Sequence, residues 1–477
     1  MNRRKFLGSS AALLAGGCIA PRIVTGKTNP LHLNSLRVAA VGIGGRGQRL
    51  ISAVKEATNA EIVAYADVDE KILNSTDKDN SKVNRVSDFR RLLDRKDVDA
   101  VISATPNHWH ALVTVLACQA GKHVYIEKPI SHNMFESDAI VAAAERHKII
   151  VQAGFQNRSD TGVYPFFDRL HEGEFGEVTS VHGTCHRPRK TIGKQQAALA
   201  VPKHIDYELW LGPAAEQPIY RPRLHYDWHW DFNTGNGDVG NQGPHEWDLM
   251  NWALGDTDQL PSSIKAAGNR FGWNDAGDTP NVMAVSGVMN KKPFFFEVMD
   301  LKPGVEPPYG RGVGVIVETE KGRYVGGRGG GSFTWNDGKV ESFERNGNQD
   351  GTSSHVENFV EAVFAVDRRK LRSDCKVGAK SSSMAHMANI SFQLGKKMAR
   401  KDVENSFASN SAEEKLIGRL AKAPEIYHRK HGGTAVDWVA GPTLTFDDSA
   451  RLFTGSQADQ ANAKMKRDYR KGFEVRS

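Results

Sequence analysis

Gly42-Ile43-Gly44-Gly45-Arg46-Gly47 is the stretch whose residue types and spacing most directly imply chemistry. Its first, third and sixth positions are glycine. Gly42 permits a tight turn, Gly44 lets the backbone approach a pyrophosphate, and Gly47 leaves room for a helix to pack on a strand. A helix opening here would offer free N–H groups and the positive end of its dipole to phosphate oxygens. Asp67 lies 20 positions after Gly47, where a carboxylate accepts hydrogen bonds from the adenosine ribose hydroxyls and repels a 2′-phosphate. The expected cofactor is therefore NAD rather than NADP. Gly45 and Arg46, inside the loop, are expected cofactor contacts as well.

These residues need a strand before the glycines and a helix after them, and the pattern supplies both. Leu36 to Val41 reads as a strand, Gln48 to Ala57 as a helix, and Glu61 to Ala66 as a second strand ending at Asp67. Further apolar strands follow at Val98 to Ala104, His123 to Ile126 and Ile149 to Ala153, with helices beginning near Asn107 and Ser131. Continuous apolar strands alternating with helices imply a parallel sheet covered on both faces, so residues 35–155 are expected to form a doubly wound α/β domain. From 156 to 400 the strands lengthen, as at Val178 to Thr184 and Pro293 to Asp300, beside a glycine-rich run from Gly326 to Gly331. This predicts an α+β domain with a large, mostly antiparallel or mixed open sheet, and with helices at Val356 to Ala365 and Ser381 to Met398. Residues 401–477 are polar, with a helix predicted over Ser456 to Tyr469, and read as a tail packing on the body.

The composition, 39% hydrophobic and 25% charged over 477 residues, is that of a globular protein of more than one domain. Arg3, Arg4, Lys5, Arg22 and Lys27 account for five of the +7 net charge, leaving +2 for the rest. That balance gives no electrostatic case for a nucleic-acid partner. Four scattered cysteines, Cys18, Cys118, Cys185 and Cys375, are too few for a disulfide framework or a cysteine-rich metal site. Residues 1–34 read as an address. Asn2-Arg3-Arg4-Lys5-Phe6-Leu7 resembles a twin-arginine signal, and Leu7 to Ala20 is an uncharged stretch too short to span a bilayer. The expectation is export by the twin-arginine machinery to the periplasm or cell envelope. Ala15-Gly16-Gly17-Cys18 also resembles a weak lipoprotein box, which leaves a lipid anchor at Cys18 as an alternative to simple cleavage.

Two further motifs carry a family resemblance. Thr105-Pro106-Asn107-His108-Trp109-His110 follows the fourth strand, and Glu127-Lys128-Pro129 follows the fifth. With the glycine motif they resemble the glucose-fructose oxidoreductase / inositol dehydrogenase / rhizopine-catabolism family of NAD(P)-dependent oxidoreductases, in a mostly exported bacterial branch. The resemblance implies that Thr105, Asn107, His110, Glu127 and Lys128 line the NAD pocket, with Lys128 near the nicotinamide and the reacting carbon. It also implies oxidation of a secondary hydroxyl of a carbohydrate or polyol, and assembly as a homo-oligomer.

Such a reaction needs a hydride acceptor and a base for the hydroxyl proton. Lys128 is one candidate base. His245, in Gly243-Pro244-His245-Glu246-Trp247-Asp248, is the other and matches the family's Gly-x-His-x-x-Asp pattern. Many members carry Asp four residues before that histidine, where this chain has Asn241. An amide can orient an imidazole but does not stabilise its charged form, which moves the expected burden toward Lys128. Gln156 and Arg158, after the sixth strand, are expected substrate contacts, as are Arg187, Arg189, Trp228 and His229. No metal is expected: His225, Asp227 and His229 alternate with aromatics and lack an open three-ligand pattern. Two rival functions stand beside this one. The first is a glycosidase that uses NAD transiently for oxidation, elimination, hydration and re-reduction. The second is a non-catalytic sugar-binding protein, disfavoured by the joint presence of Lys128 and His245.

Overall fold

A computed structural model describes residues 34–256, 259–347, 350–432 and 436–476. The expected export signal, with Arg3, Arg4 and Cys18, lies outside the described residues. Six short strands form the first sheet: β1 (Leu36–Val41), β2 (Ala60–Ala66), β3 (Asn84–Val86), β4 (Ala100–Ser103), β5 (His123–Ile126) and β6 (Val151–Ala153). They lie in the order 3-2-1-4-5-6, and every neighbouring pair is parallel. The residues of β4 and β5 are all buried, because helices cover both faces of the sheet. The strand order reverses between β1 and β4, and at that switch point the chain ends that follow β1, β2, β4 and β5 open a crevice.

The second sheet has twelve strands: β7 (Val178–His186), β8 (Ser263–Asn269), β9 (Val282–Met289), β10 (Lys292–Met299), β11 (Val313–Thr319), β12 (Gly322–Gly327), β13 (Gly330–Trp335), β14 (Val340–Glu344), β15 (Lys396–Met398), β16 (Trp438–Ala440), β17 (Leu444–Asp447) and β18 (Leu452–Thr454). It is mixed, since β7 and β10 run parallel while the other pairs are antiparallel. Helices Pro244–Ala253 and Cys375–Gln393 pack on one face. Trp247 stacks on Phe296 with ring centroids 4.0 Å apart. A Cβ at Gly183 would fall 2.6 Å from the Phe296 ring, so the strand bears no side chain there and the helix can approach.

Residues 401–477 are more than the expected tail. Helices Arg400–Phe407 and Ser411–Leu420 bury Val403, Phe407, Leu416 and Ile417 against Ala267, Val282 and Ala284 on the other face of the sheet. Strands β16 and β17 extend the sheet by pairing with β8. The helix predicted over Ser456 to Tyr469 is confined to Ala458–Ala463. Beyond it the chain leaves the helix, places the Arg467 guanidinium on Asn233 and inserts Phe473 edge-on against Trp109 at 5.6 Å. Those contacts outweigh the helical propensity of the segment.

The connection between β7 and helix Pro244–Ala253 has its own small cluster of Ile205, Trp210, Leu211, Ala214, Ile219 and Leu224. It returns to the first domain, where the Glu70 N–H donates to His204 O at 2.8 Å and the Asp206 N–H to Val68 O at 3.0 Å. This arch places His225, Tyr226 and Trp228 beside the crevice. No helix of the described residues is long and apolar enough to cross a membrane.

Candidate active site

The three motif glycines have distinct geometric reasons. Gly42 has φ +73°, and a Cβ there would lie 2.8 Å from the Thr105 amide nitrogen. A Cβ at Gly47 would lie 2.1 Å from Gly42 O, so the helix can start only with glycine. At Gly44 the obstacle is merely the flexible tip of Ile72 at 3.2 Å, which leaves that position open for a ligand's close approach. Helix Arg46–Glu56 has no side-chain cap and no acid in its first turn, so apart from the Gly47 N–H, which donates to Gly44 O at 2.7 Å, its leading N–H groups are left to meet phosphate. These features fit a dinucleotide pyrophosphate.

Asp67 has a second task that its spacing did not reveal. Its Oδ2 accepts the Ile43 N–H and its Oδ1 the Asp69 N–H, both at 2.9 Å, which ties the glycine loop to the end of β2. Burial raises its pKa in spite of these bonds. Asp67→Ala is therefore expected to weaken NAD binding and relax discrimination against NADP, whereas Asp67→Asn keeps one acceptor for the loop and shifts mainly the preference. Titrating both nucleotides against both variants checks this. An unchanged preference would mean that another group reads the ribose.

Lys128 projects across to the second domain and donates from Nζ to Asn241 O at 2.6 Å. Burial pushes its pKa down to about 8; Glu127 opposes the shift, while Arg46 and Arg328 add to it. Glu127 is held by the Arg46 Nε–H at 2.8 Å and the Gln156 Nε2–H at 2.9 Å. His245 lines the same cleft, only 5% exposed, with its ring edge-on to Phe155 at 6.2 Å and Nδ1 without a hydrogen-bond partner. Burial, then Lys128 and Arg328, hold its pKa far below the ordinary value, so the imidazole is neutral. Asn241 does not orient that ring. At the end of the short helix Gly237–Gly240 its side chain folds back and donates to Asp238 Oδ1 at 2.8 Å, while its backbone carbonyl receives Lys128.

Several other expected contacts are placed differently from their sequence reading. The Arg46 guanidinium is spent on Glu127 and Thr352, and both ring nitrogens of His110 face carbonyls, Thr105 O at 2.7 Å and Pro129 O at 2.5 Å. Both residues line the cleft with these bonds in place. Thr105 and Asn107 line the cleft, Asn107 held by Asn236 at 2.8 Å. Gln156 lines it too, donating to Tyr125 and Glu127. Arg158 lies outside the cleft. It is 4% exposed, paired with Asp248 and Asp256 and stacked on Trp252 at 4.8 Å, because those two carboxylates converge on it from the second domain.

Arg189 lines the cleft but is committed to Asp238 at 2.6 and 2.7 Å and to Tyr226 at 2.8 Å. Trp228 stacks on His229, with centroids 3.6 Å apart, and the His229 ring faces Tyr226 O. Burial presses His229 down to about 3. Asp227 is bonded to Arg223, and among the described residues no three His, Cys, Asp or Glu side chains are grouped to hold a metal. Arg187 lines the cleft with only the Gln242 amide oxygen as side-chain partner. Arg328, Gln242 and Asp350 also line it and were not singled out from the sequence. The one available signal was a lone cation inside the Gly326 to Gly331 run.

The whole cleft encloses about 670 Å³ between the two domains. A doubly wound domain whose glycine loop opens into a cleft shared with a half-buried lysine and a buried histidine can hold a dinucleotide beside two groups able to move a proton. Residues 36–155 match the family model described as an oxidoreductase family NAD-binding Rossmann fold, and residues 182–279 match the C-terminal alpha/beta domain of the same family. Both models describe the Gfo/Idh/MocA oxidoreductase family, one matching in each domain.

Among curated relatives, inositol 2-dehydrogenase of Salmonella typhimurium is 29% identical over 178 residues, covering 37% of this chain and 53% of its own. Levoglucosan dehydrogenase of Pseudarthrobacter phenanthrenivorans is 36% identical over 101 residues, 21% of this chain and 26% of its own. A glycosyl hydrolase family 109 protein of a Shewanella species is 26% identical over 211 residues, 38% and 45% of the two chains. The match to the inositol dehydrogenase thus spans about half of that relative's length. Among solved structures, the WlbA dehydrogenase from Bordetella pertussis, in complex with NADH and UDP-GlcNAcA, superposes with a TM-score of 0.54 at 17% identity over 74% of this chain and 94% of that one. A levoglucosan dehydrogenase in complex with NADH and levoglucosan gives 0.57 at 18% identity, over 74% and 95%. These likenesses show a shared fold.

Proposed function

We propose that the protein is an NAD-dependent oxidoreductase acting on a secondary hydroxyl of a carbohydrate or polyol, exported by the twin-arginine route with its cofactor tightly held. The observation that carries the reading is the Lys128 ammonium, fixed at 2.6 Å on Asn241 O in the cleft that begins at the glycine loop. Gly42, Gly44, Gly47 and the free N–H groups of helix Arg46–Glu56 hold the pyrophosphate, and Asp67 holds the ribose. Bound NAD supplies a hydride acceptor for the carbon that bears the hydroxyl. Lys128, with a pKa near 8, takes the hydroxyl proton in its neutral form. His245, neutral and lining the cleft, hydrogen-bonds the same oxygen or its neighbour. The relatives named as inositol and levoglucosan dehydrogenases support the substrate class.

A second reading, redox-neutral glycoside cleavage through a transient ketone, is favoured by the relatives named as a glycosyl hydrolase family 109 protein and a 2,7-anhydro-N-acetylneuraminate hydratase.

Arg3 and Arg4 bear on the cofactor's fate, because a twin-arginine precursor crosses folded and carries any bound dinucleotide into a compartment poor in free NAD. The purified mature protein is therefore expected to release nearly stoichiometric NAD(H) on denaturation. It is also expected to turn over a panel of free sugars, polyols and glycosides without added cofactor. Oxidised product with a reduced acceptor supports the oxidoreductase; cleaved aglycone with no net redox change supports the second reading. An empty protein with weak, reversible NAD binding would refute the tightly held cofactor.

A further inference from the structure

Two exposed guanidinium groups that line the cleft, those of Arg187 and Arg328, have no acid bonded to them among the described residues. The positive groups that act most on His245 are Lys128, Arg328, Arg46 and Arg187. Arg46 is balanced by Glu127 at 2.8 Å, and Arg189, nearby, is balanced by Asp238 at 2.6 Å. Arg187 meets only the neutral Gln242 amide, and the Arg328 guanidinium has no acid bonded to it among the described residues. Asp350 feels Arg328, but its two oxygens are held by the Arg49 guanidinium and the Thr352 N–H. Glu246, the acid behind Gln242, is raised by burial to about 8 and is an uncharged carboxylic acid at neutral pH.

The hairpin that presents Arg328 is fixed. The Gly329 N–H donates to Asp160 Oδ2 at 2.9 Å, Arg345 pairs with the same carboxylate, and Arg311 donates to Arg328 O at 3.3 Å. Glu127 stands beside Lys128 and Asp350 feels Arg328, but Arg187 and Arg328 keep no bonded carboxylate, and a cleft lined by two such cations is complementary to an anion.

We propose that the substrate is an acidic carbohydrate, a uronate or aldonate, whose carboxylate is clamped by Arg187 and Arg328 while its hydroxyl lies at Lys128 and His245. A carboxylate suits this pair because each planar guanidinium presents parallel N–H donors to it. This names the substrate class of the oxidoreductase reading and rests on that reading for the reaction, though not for the binding.

The test uses full-length mature protein saturated with NAD, with glucuronate, galacturonate and gluconate as probes, the methyl ester or neutral parent sugar of each as control, and glucose 1-phosphate as a third arm. Calorimetric binding is measured for all of them, and kcat/KM wherever NADH forms. At least one acid is expected to bind more tightly than its ester by a factor of about 10 to 100, the usual worth of charge-assisted hydrogen bonds. Arg187→Gln and Arg328→Gln are each expected to erase most of that ratio, raising KM for the acid while the ester and NAD bind as before. Esters equal to acids, no acid bound, preference for the phosphate, or NAD affinity lost together with acid affinity would each overturn the proposal. Discriminating acid binding without turnover of any hydroxyl would leave the anion clamp standing and sink the oxidoreductase reading. Turnover of neutral polyols without discrimination would do the reverse.

Discussion

Lys128→Ala is expected to lower kcat by a factor of about 10² to 10⁴, the usual cost of losing a positioned acid or base, while NAD binding is largely retained. Retention is expected because the contacts proposed for the pyrophosphate and ribose are Gly42, Gly44, Gly47 and Asp67, in the glycine loop and after β2, and not the Lys128 ammonium. The pH profile sharpens the test. Burial lowers Lys128 to about 8, so the neutral base is scarce below that pH and dominant above it. The kcat/KM for hydroxyl oxidation should therefore rise with pH and level off above about 8, and the reverse reduction, which needs the ammonium, should fall over the same range. Lys128→Arg keeps a cation but has no accessible neutral form. It should be as inactive as the alanine variant if the proton is what matters, and partly active if charge alone does. Activity of Lys128→Ala within a few-fold of the parent, with its rising limb intact, would remove Lys128 from the proton transfer.

The parts legible in the sequence are those whose cause is local. The glycine loop is strand, turn and helix within a dozen residues, and Gly47 answers a clash with Gly42 O inside that unit. Five of the six strands of the first sheet were legible for the same reason, since parallel strands buried on both faces are continuous apolar runs, whereas β3, three residues long and partly exposed, was missed. What stayed hidden depends on partners brought by the fold. Arg158 follows β6 at the carboxyl edge where ligands bind, yet its carboxylates come from positions 90 and 98 residues away and turn it inward. Asn241 reads as an imidazole partner by its spacing from His245, but a short helix directs its amide to Asp238 and leaves its carbonyl for Lys128. Arg328 sits in a run whose composition says only hairpin. Its place in the cleft is set by Asp160, which anchors that hairpin from the other end of the domain. The strands contributed by residues 438–454 were missed because strands of three or four residues are too short to show a period.

Arg158→Ala is expected to destabilise the protein by about 3–5 kcal/mol, the cost of stranding a buried charge. Asp248 is fully buried and receives three hydrogen bonds from Arg158 at 2.9 to 3.1 Å, plus one from Ser381 Oγ at 3.1 Å. Without the guanidinium only the hydroxyl remains. Asp248→Ala should cost less, because Arg158 would keep Asp256 at 2.7 and 2.8 Å and the Trp252 face. The asymmetry has a pH signature. Burial already raises the pKa of Asp248 above the ordinary value, and removing Arg158 raises it further. A group whose folded pKa lies above its unfolded one gives its stability below the unfolded pKa and loses it as pH rises through the folded one. The deficit of Arg158→Ala should thus be full at neutral pH and shrink toward the carboxylate range as the stranded acid takes up a proton. An Arg158→Met, Asp248→Leu pair removes both charges and should recover much of the loss. Activity ties this anchor to the site, since Asp248 lies one helical turn beyond His245 on helix Pro244–Ala253, and a slack anchor moves the imidazole. Denaturant midpoints of the three variants from acid to neutral pH, read beside turnover, decide it. A loss for Arg158→Ala below about 1 kcal/mol at every pH, or equal losses for both single variants, would mean that this pair does not hold the His245 helix in place.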